Sequence, residues 1–173
     1  MGHKIDEYGI HPTKTKIECI EQAPSPENLT QLKSYLGLLN YYGKFIPMLS
    51  STLKPLYDLC KSGVEYIWTR ECEEVFQTSK TMLTSENILT HFNPTLPIYV
   101  TCDASGYGIG AVLSHRINGE EKPVLFASST LSPTEKLYSN LERESLAIIF
   151  ALKKFHKYIN SNSNKLYCSK IQS

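Results

Sequence analysis

An aspartate closing an apolar run and a glutamate on a patterned helix carry the chemistry this chain could do. Tyr99-Val100-Thr101-Cys102-Asp103-Ala104-Ser105 reads as a strand that ends in a carboxylate. A glycine-rich turn, a second strand and then a helix bearing Glu142-Arg143-Glu144 follow. Acids held at a strand end and on a packed helix suit two-metal phosphodiester hydrolysis. Hard cations take oxygen ligands, one activating the attacking water and the other steadying the leaving oxygen. After Glu144 the chain runs 29 residues to Ser173 without another Asp or Glu.

Geometry separates the two glutamates. Leu141, Ile148, Leu152, Phe155 and Ile159 recur at helical spacing and predict the core stripe of that helix. At about 100° per residue, Glu144 lies about 50° from the centre of the stripe and Glu142 about 110° away. An ionised carboxylate beside a core is costly unless a cation or hydrogen bonds compensate it. Glu144 is therefore the candidate ligand and Glu142 ordinary surface. The alternative is a Glu144 that edges the stripe and reaches water. Asp103 weighs against that alternative, since Asp is depleted in strands and this one ends a β-rich run. The following Ser105-Gly106-Tyr107-Gly108-Ile109-Gly110 would let a ligand approach the backbone closely, or is a plain turn. It lacks the spacing and the following helix of a phosphate-binding fingerprint.

Composition narrows the classes. A charged fraction of 20% and a hydrophobic fraction of 41% fit a folded globular chain. The formal net charge of +1 gives no electrostatic footprint, so a nucleic-acid partner must be argued from local charge. The segment after Glu144 is locally basic, with Lys153, Lys154, Lys157, Lys165 and Lys170, although lysines are favourable at any helix C-terminus. The five cysteines form no CxxC pair, which argues against zinc. No apolar run suits a membrane span, and the start lacks a signal-peptide pattern, so a reducing intracellular compartment is the expectation.

The chain divides into unlike halves. Residues 1–85 read as mostly helical after a short strand or turn around Lys4 to Ile10. Ser25-Pro26-Glu27 predicts a helix start, and Leu29, Leu32, Leu36 and Leu39 its apolar stripe. Thr69 predicts the cap of another helix that buries Val75, Phe76, Ser79, Met82 and Leu83. Residues 86–96 read as a linker. Residues 97–173 turn to strands at Ile98–Asp103, Gly108–His115 and Lys122–Ser128, with Asn118-Gly119 as a hairpin turn. A helix reaching about Ile159 follows, and Lys165 to Cys168 could start a fourth strand. The predicted class is α+β: a helical segment, then a three-stranded antiparallel sheet with a helix.

These motifs, in this order, resemble one family. Thr101-Cys102-Asp103-Ala104-Ser105 with Gly108 to Ser114 resembles the first strands of the ribonuclease H domain in gypsy-class LTR retrotransposon polyproteins. Tyr138-Ser139, Glu142 to Ala147 and Ala151 to Phe155 resemble the helix that follows there. Gly2-His3 resembles the end of the reverse transcriptase primer grip, and Leu36 to Tyr42 with Phe45-Ile46-Pro47 its thumb. Trp68-Thr69 with Cys72 to Phe76 is similar to the connection into the ribonuclease domain. The resemblance covers nearly the whole chain to about Tyr158.

The resemblance implies an RNA–DNA hybrid or other nucleic acid as partner and Mg2+, with Mn2+ as substitute, as cofactor. It implies Asp103 and Glu144 as catalytic metal ligands, and Gly2, His3, Lys33 and Lys44 as nucleic-acid contacts. Lys33 and Lys44 read equally well as solvated helix lysines. The sequence departs from the family where the next aspartate belongs, in a Thr-Asp-His type motif on a fourth strand. Lys165-Leu166-Tyr167 fits, but Cys168 to Ser173 does not. The expectation is a catalytically incomplete fragment of reverse transcriptase thumb and connection plus a truncated ribonuclease H fold, with weak nucleic-acid binding. The alternatives are a working nuclease completed by a longer chain or a partner, and a protein-interaction module built on the helical half.

Overall fold

The computed structural model describes residues 3–7, 9–84, 89–162 and 166–170. It opens on a hairpin, β1 (His3–Asp6) against β2 (Gly9–Pro12). Five helices of this half are α1 (Lys14–Glu21), α2 (Leu29–Tyr41), α3 (Leu49–Thr52), α4 (Lys54–Asp58) and α5 (Arg70–Thr84), with α1 and α4 both packed against α5. Leu32, Tyr35, Leu36 and Leu39 of α2 meet Cys72, Phe76, Ser79 and Leu83 of α5 in a first core, close to the stripes expected. Inside it the Tyr35 hydroxyl pairs with Ser79 Oγ at 2.6 Å. Thr69 caps α5, its Oγ1 accepting from the Cys72 amide at 3.3 Å.

The start of α2 differs from expectation. Asn28, not Ser25, is the cap, its side chain accepting from the Gln31 amide at 3.0 Å. Gln31 reaches back to the Glu27 amide at 2.8 Å, so orphan donors are satisfied reciprocally three residues later than Ser-Pro-Glu suggested. Ser25 Oγ is drawn away by Glu73, to which it donates at 2.7 Å.

The second half is a four-stranded sheet in the order β5-β4-β3-β6. The strands β3 (Ile98–Ala104), β4 (Gly108–Ile117) and β5 (Glu120–Thr130) are antiparallel neighbours, and β6 (Leu166–Lys170) lies parallel to β3. Asn118 and Gly119 both take positive φ, 54° and 85°, as a two-residue hairpin turn matching the strand twist requires. Residues 89–97 are pinned to the structure: Leu89 bridges Ile10, and buried His115 accepts from the Asn93 amide at 3.0 Å.

Helix α6 (Asn140–Asn160) lies on the sheet against β3 and β4 and buries Ala147, Ala151 and Phe155. The expected stripe is thereby corrected. Leu141 is 73% exposed and Ile148 42%, because methyl-sized Ala147 and Ala151 allow the helix to approach the strands closely and larger residues rotate outward. The correction moves Glu144 nearer the centre of the buried face, since it stands three and seven residues before those alanines. Ser139 caps α6 in a full capping box with Glu142. Ser139→Ala is expected to cost about 1 kcal/mol, read as a lower urea midpoint with unchanged slope.

The helical half packs against β4 and β5 through α3. Met48 lies where a side chain on Gly110 would stand, and an added Cβ at Gly108 would come 2.7 Å from Ser51 Oγ and 3.0 Å from the Ser129 carbonyl oxygen. The glycine-rich turn does permit close approach, but what approaches it is the chain itself.

Candidate metal and nucleic-acid site

Asp103 stands next to the last residue of β3, and its partner across the ladder is Gly110. Glu144 comes from the first turns of α6. Both are half-buried, and both line one cavity of about 340 Å³. The sequence-predicted pair is thus brought to one place by the docking of α6 on β3. Ala147 forms part of the wall on the α6 side, and Cys168 and Ser169 form it on the β6 side. Cys168 pairs in register with Val100 and Ser169 with Thr101, so β6 runs where the resemblance places a further aspartate but presents a thiol and a hydroxyl. Among the described residues no group of three or more His, Cys, Asp or Glu side chains is arranged to hold a metal ion.

Chemically the cavity offers hard oxygen ligands from two carboxylates, the donor type that Mg2+ and Mn2+ take. Its buried thiol, Cys102, competes poorly. Burial, with Cys168 alongside, pushes the Cys102 thiol up to about 12, so it stays protonated at neutral pH and is a weak ligand. Iodoacetamide at pH 8 is expected to label exposed Cys19 and Cys168 in the folded chain and to leave Cys102 unmodified until denaturant is added. Rapid labelling of Cys102 in the native chain would contradict this burial.

Glu142 faces away, as expected, and has a structural task. It is exposed and accepts from the Ser139 amide at 2.7 Å, a bond that holds its carboxyl below the usual glutamate range. The basic candidates are placed elsewhere. Lys33 is exposed on α2, and Lys44 is half-buried with its ammonium 5.2 Å from the Phe45 ring centroid; burial lowers its pKa. Neither lines the carboxylate cavity. His3 pairs through its backbone with Pro12, and Gly2 lies outside the described residues.

Two features escaped sequence reasoning. An open groove of about 650 Å³ runs along α2, lined by Gln31, Ser34, Gly37 and Tyr41 with Pro24 and Pro26 beyond. Its signal was the polar and small residues on the face opposite the leucine stripe. The other is Arg143, whose Nη1 donates to the Ser105 carbonyl oxygen at 3.4 Å. A cation between two acids in sequence was visible, but its long-range partner was not.

Residues 68–166, more than half of the chain, match the ribonuclease H-like domain found in reverse transcriptase, and the chain belongs to that family. It is 35% identical over 162 residues to the Transposon Tf2-3 and Tf2-4 polyproteins of Schizosaccharomyces pombe, an alignment covering 93% of this chain and 12% of each polyprotein. The chain thus spans about an eighth of the length of these relatives. The fold is similar to that of the foamy viral protease-reverse transcriptase in complex with RNA/DNA hybrid. That likeness has a TM-score of 0.83 and 27% identity, covering 100% of this chain and 24% of the other. A second such structure, in complex with double-stranded DNA, gives a TM-score of 0.82 at 27% identity over 100% of this chain and 36% of the other. The α+β class and the retrotransposon resemblance expected from the motifs both hold.

Proposed function

We propose that this chain is a nucleic-acid-binding segment of a retrotransposon reverse transcriptase–ribonuclease H, and that Asp103 and Glu144 are the metal-ligating pair of a hydrolytic site. Residues 1–85 then correspond to primer-grip end, thumb and connection, 86–96 to a linker and 97–173 to the ribonuclease H-like part. The observation that carries this reading is that Asp103 and Glu144, 41 positions apart in sequence, line one cavity. Support for the partner comes from the similar foamy viral enzyme, whose structures hold double-stranded DNA and RNA/DNA hybrid. Lys33, Lys44, His3 and Gly2 supply contacts to the phosphate backbone, a sequence-independent and salt-sensitive mode of binding.

Divalent Mg2+ or Mn2+, when bound, supplies Lewis-acid activation of water and stabilisation of the leaving oxygen. Asp103 and Glu144 offer it oxygen ligands from a strand end and a helix, beside the side chains of Ala147 and Ile148. Two carboxylates alone leave most of the coordination shell to waters and substrate phosphates. On its own residues the site is catalytically incomplete.

A second reading, a working nuclease completed by a longer chain or a partner, is favoured by one observation. Leu141, Ile148, Ile149 and Leu152 of α6 are exposed, as are Leu166 and Tyr167 on β6, and such large apolar side chains are suited to burial against further structure.

The test is an end-labelled RNA–DNA hybrid incubated with the purified chain and Mg2+ or Mn2+. Retention of the hybrid in a salt-sensitive complex, without strand cleavage, is the expected result. Cleavage that disappears in Asp103→Asn and Glu144→Gln would establish the working enzyme instead, and no complex at low salt would overturn the binding function.

A further inference from the structure

The turn after Asp103 is gripped from two sides. From α6, Arg143 Nη1 donates to the Ser105 carbonyl oxygen at 3.4 Å, while Nη2 is held by Asn140 Oδ1 one turn earlier in the helix. The Arg143 Nε–H is buried without a hydrogen-bond partner among the described residues, so the guanidinium is secured through its terminal nitrogens. From the helical half, Ser51 Oγ shares a hydrogen bond with Ser105 Oγ at 3.0 Å. Ser105 Oγ in turn closes the turn itself, donating to the Gly108 carbonyl oxygen and accepting from the Gly108 amide, both at 3.0 Å. The packing is close at the next residue too: a Cβ on Gly106 would stand 3.3 Å from Arg143 Nη1.

Position gives these contacts their meaning. Ser105 is two residues beyond Asp103, and Arg143 immediately precedes Glu144. The guanidinium therefore joins the two elements that carry the carboxylates, through residues next in sequence to Ala104 and Glu144 of the cavity wall. We propose that Arg143 is a positioning residue, clamping the turn after β3 to the start of α6 and so holding Asp103 and Glu144 at a fixed separation. The inference rests on the reading of that pair as metal ligands. A cation on this helix face without such a task would gain more from full hydration. Instead the side chain is half-buried and spans from α6 to a backbone carbonyl 38 positions away. At 3.4 Å the bond is a long one, and it acts together with Ser51 Oγ, which holds the same turn from the helical half.

The test uses the full chain and two readouts. Amide exchange reports the turn, because the Tyr107 and Gly108 amides are bonded to Ser105 Oγ at 3.2 and 3.0 Å. Mn2+ titration followed by electron paramagnetic resonance reports the pair. Arg143→Met is expected to speed exchange at Tyr107 and Gly108 by about tenfold or more, with Val112 and Leu113 in β4 unchanged, as for a local opening. Its Mn2+ affinity is expected to fall about 10- to 100-fold, the range for residues that orient ligands without touching the metal. Arg143→Lys keeps a donor and recovers part of both. Unchanged exchange in Arg143→Met overturns the clamp whatever the metal does, and faster exchange with wild-type Mn2+ affinity overturns its positioning role. If wild-type Mn2+ binding does not depend on Asp103 and Glu144, the reading of the pair fails instead, and the exchange arm decides the clamp alone.

Discussion

Phe155→Ala is expected to lower the stability of the sheet half by about 3–5 kcal/mol, the range for truncating a fully buried aromatic. Phe155 is 0% exposed and packs in a core that includes Ile98, Val100, Leu113 and Ala151. Its loss leaves a cavity between α6 and the strands, where a helix held close by alanines has little freedom to collapse inward. Leu141→Ala is the informative comparison. The apolar periodicity of α6 places Leu141 in the same stripe as Phe155, yet it is 73% exposed, so its truncation is expected to stay within about 0.5 kcal/mol. Urea unfolding of both variants separates the two geometries. Equal large losses would return the core to the leucine–isoleucine stripe and rotate Glu144 away from the centre of the buried face.

The second large effect concerns the carboxylates. Asp103→Asn and Glu144→Gln each replace a charged oxygen ligand by a neutral amide of nearly the same shape. Each is expected to reduce Mn2+ affinity at least about 10- to 100-fold, since even changes outside the ligand set cost that much. Glu142→Gln, made as a control on the same helix, weakens the capping box and leaves Mn2+ affinity unchanged. Circular dichroism should show all three variants folded, because neither ligand lies in the hydrophobic clusters. Equal Mn2+ affinity in Glu144→Gln and Glu142→Gln would remove the distinction on which the site depends.

Much of this arrangement was legible because it is local. Asn118-Gly119 demands positive φ at both positions and takes it, alternation in Ile98 to Asp103 survives as buried Ile98, Val100 and Cys102, and Thr69 caps α5. The misreadings have equally local causes. Ser25-Pro26-Glu27 has the composition of a helix start, but Asn28 with Gln31 satisfies the first-turn amides better, and Glu73 from α5 claims Ser25. Large aliphatic residues dominated the reading of α6, whereas close helix–sheet packing is made by Ala147 and Ala151. Other features are non-local and left little trace in the residues. The parallel pairing of β6 with β3, the seating of Met48 and Ser51 on Gly108 and Gly110, and the reach of Arg143 to Ser105 all join segments far apart in sequence. Glu144 lies on the sheet-facing side of α6 under either stripe, so the misread stripe leaves its place in the cavity wall unchanged.

The most direct measurement is Mn2+ binding by electron paramagnetic resonance, with and without an RNA–DNA hybrid, in the wild-type chain and in Asp103→Asn and Glu144→Gln. The expected result is weak binding by the wild-type chain that tightens when hybrid phosphates join the shell, with the tightening lost in both variants. Hybrid-dependent Mn2+ binding of the same strength in all three proteins would contradict the assignment of Asp103 and Glu144 as the metal-ligating pair.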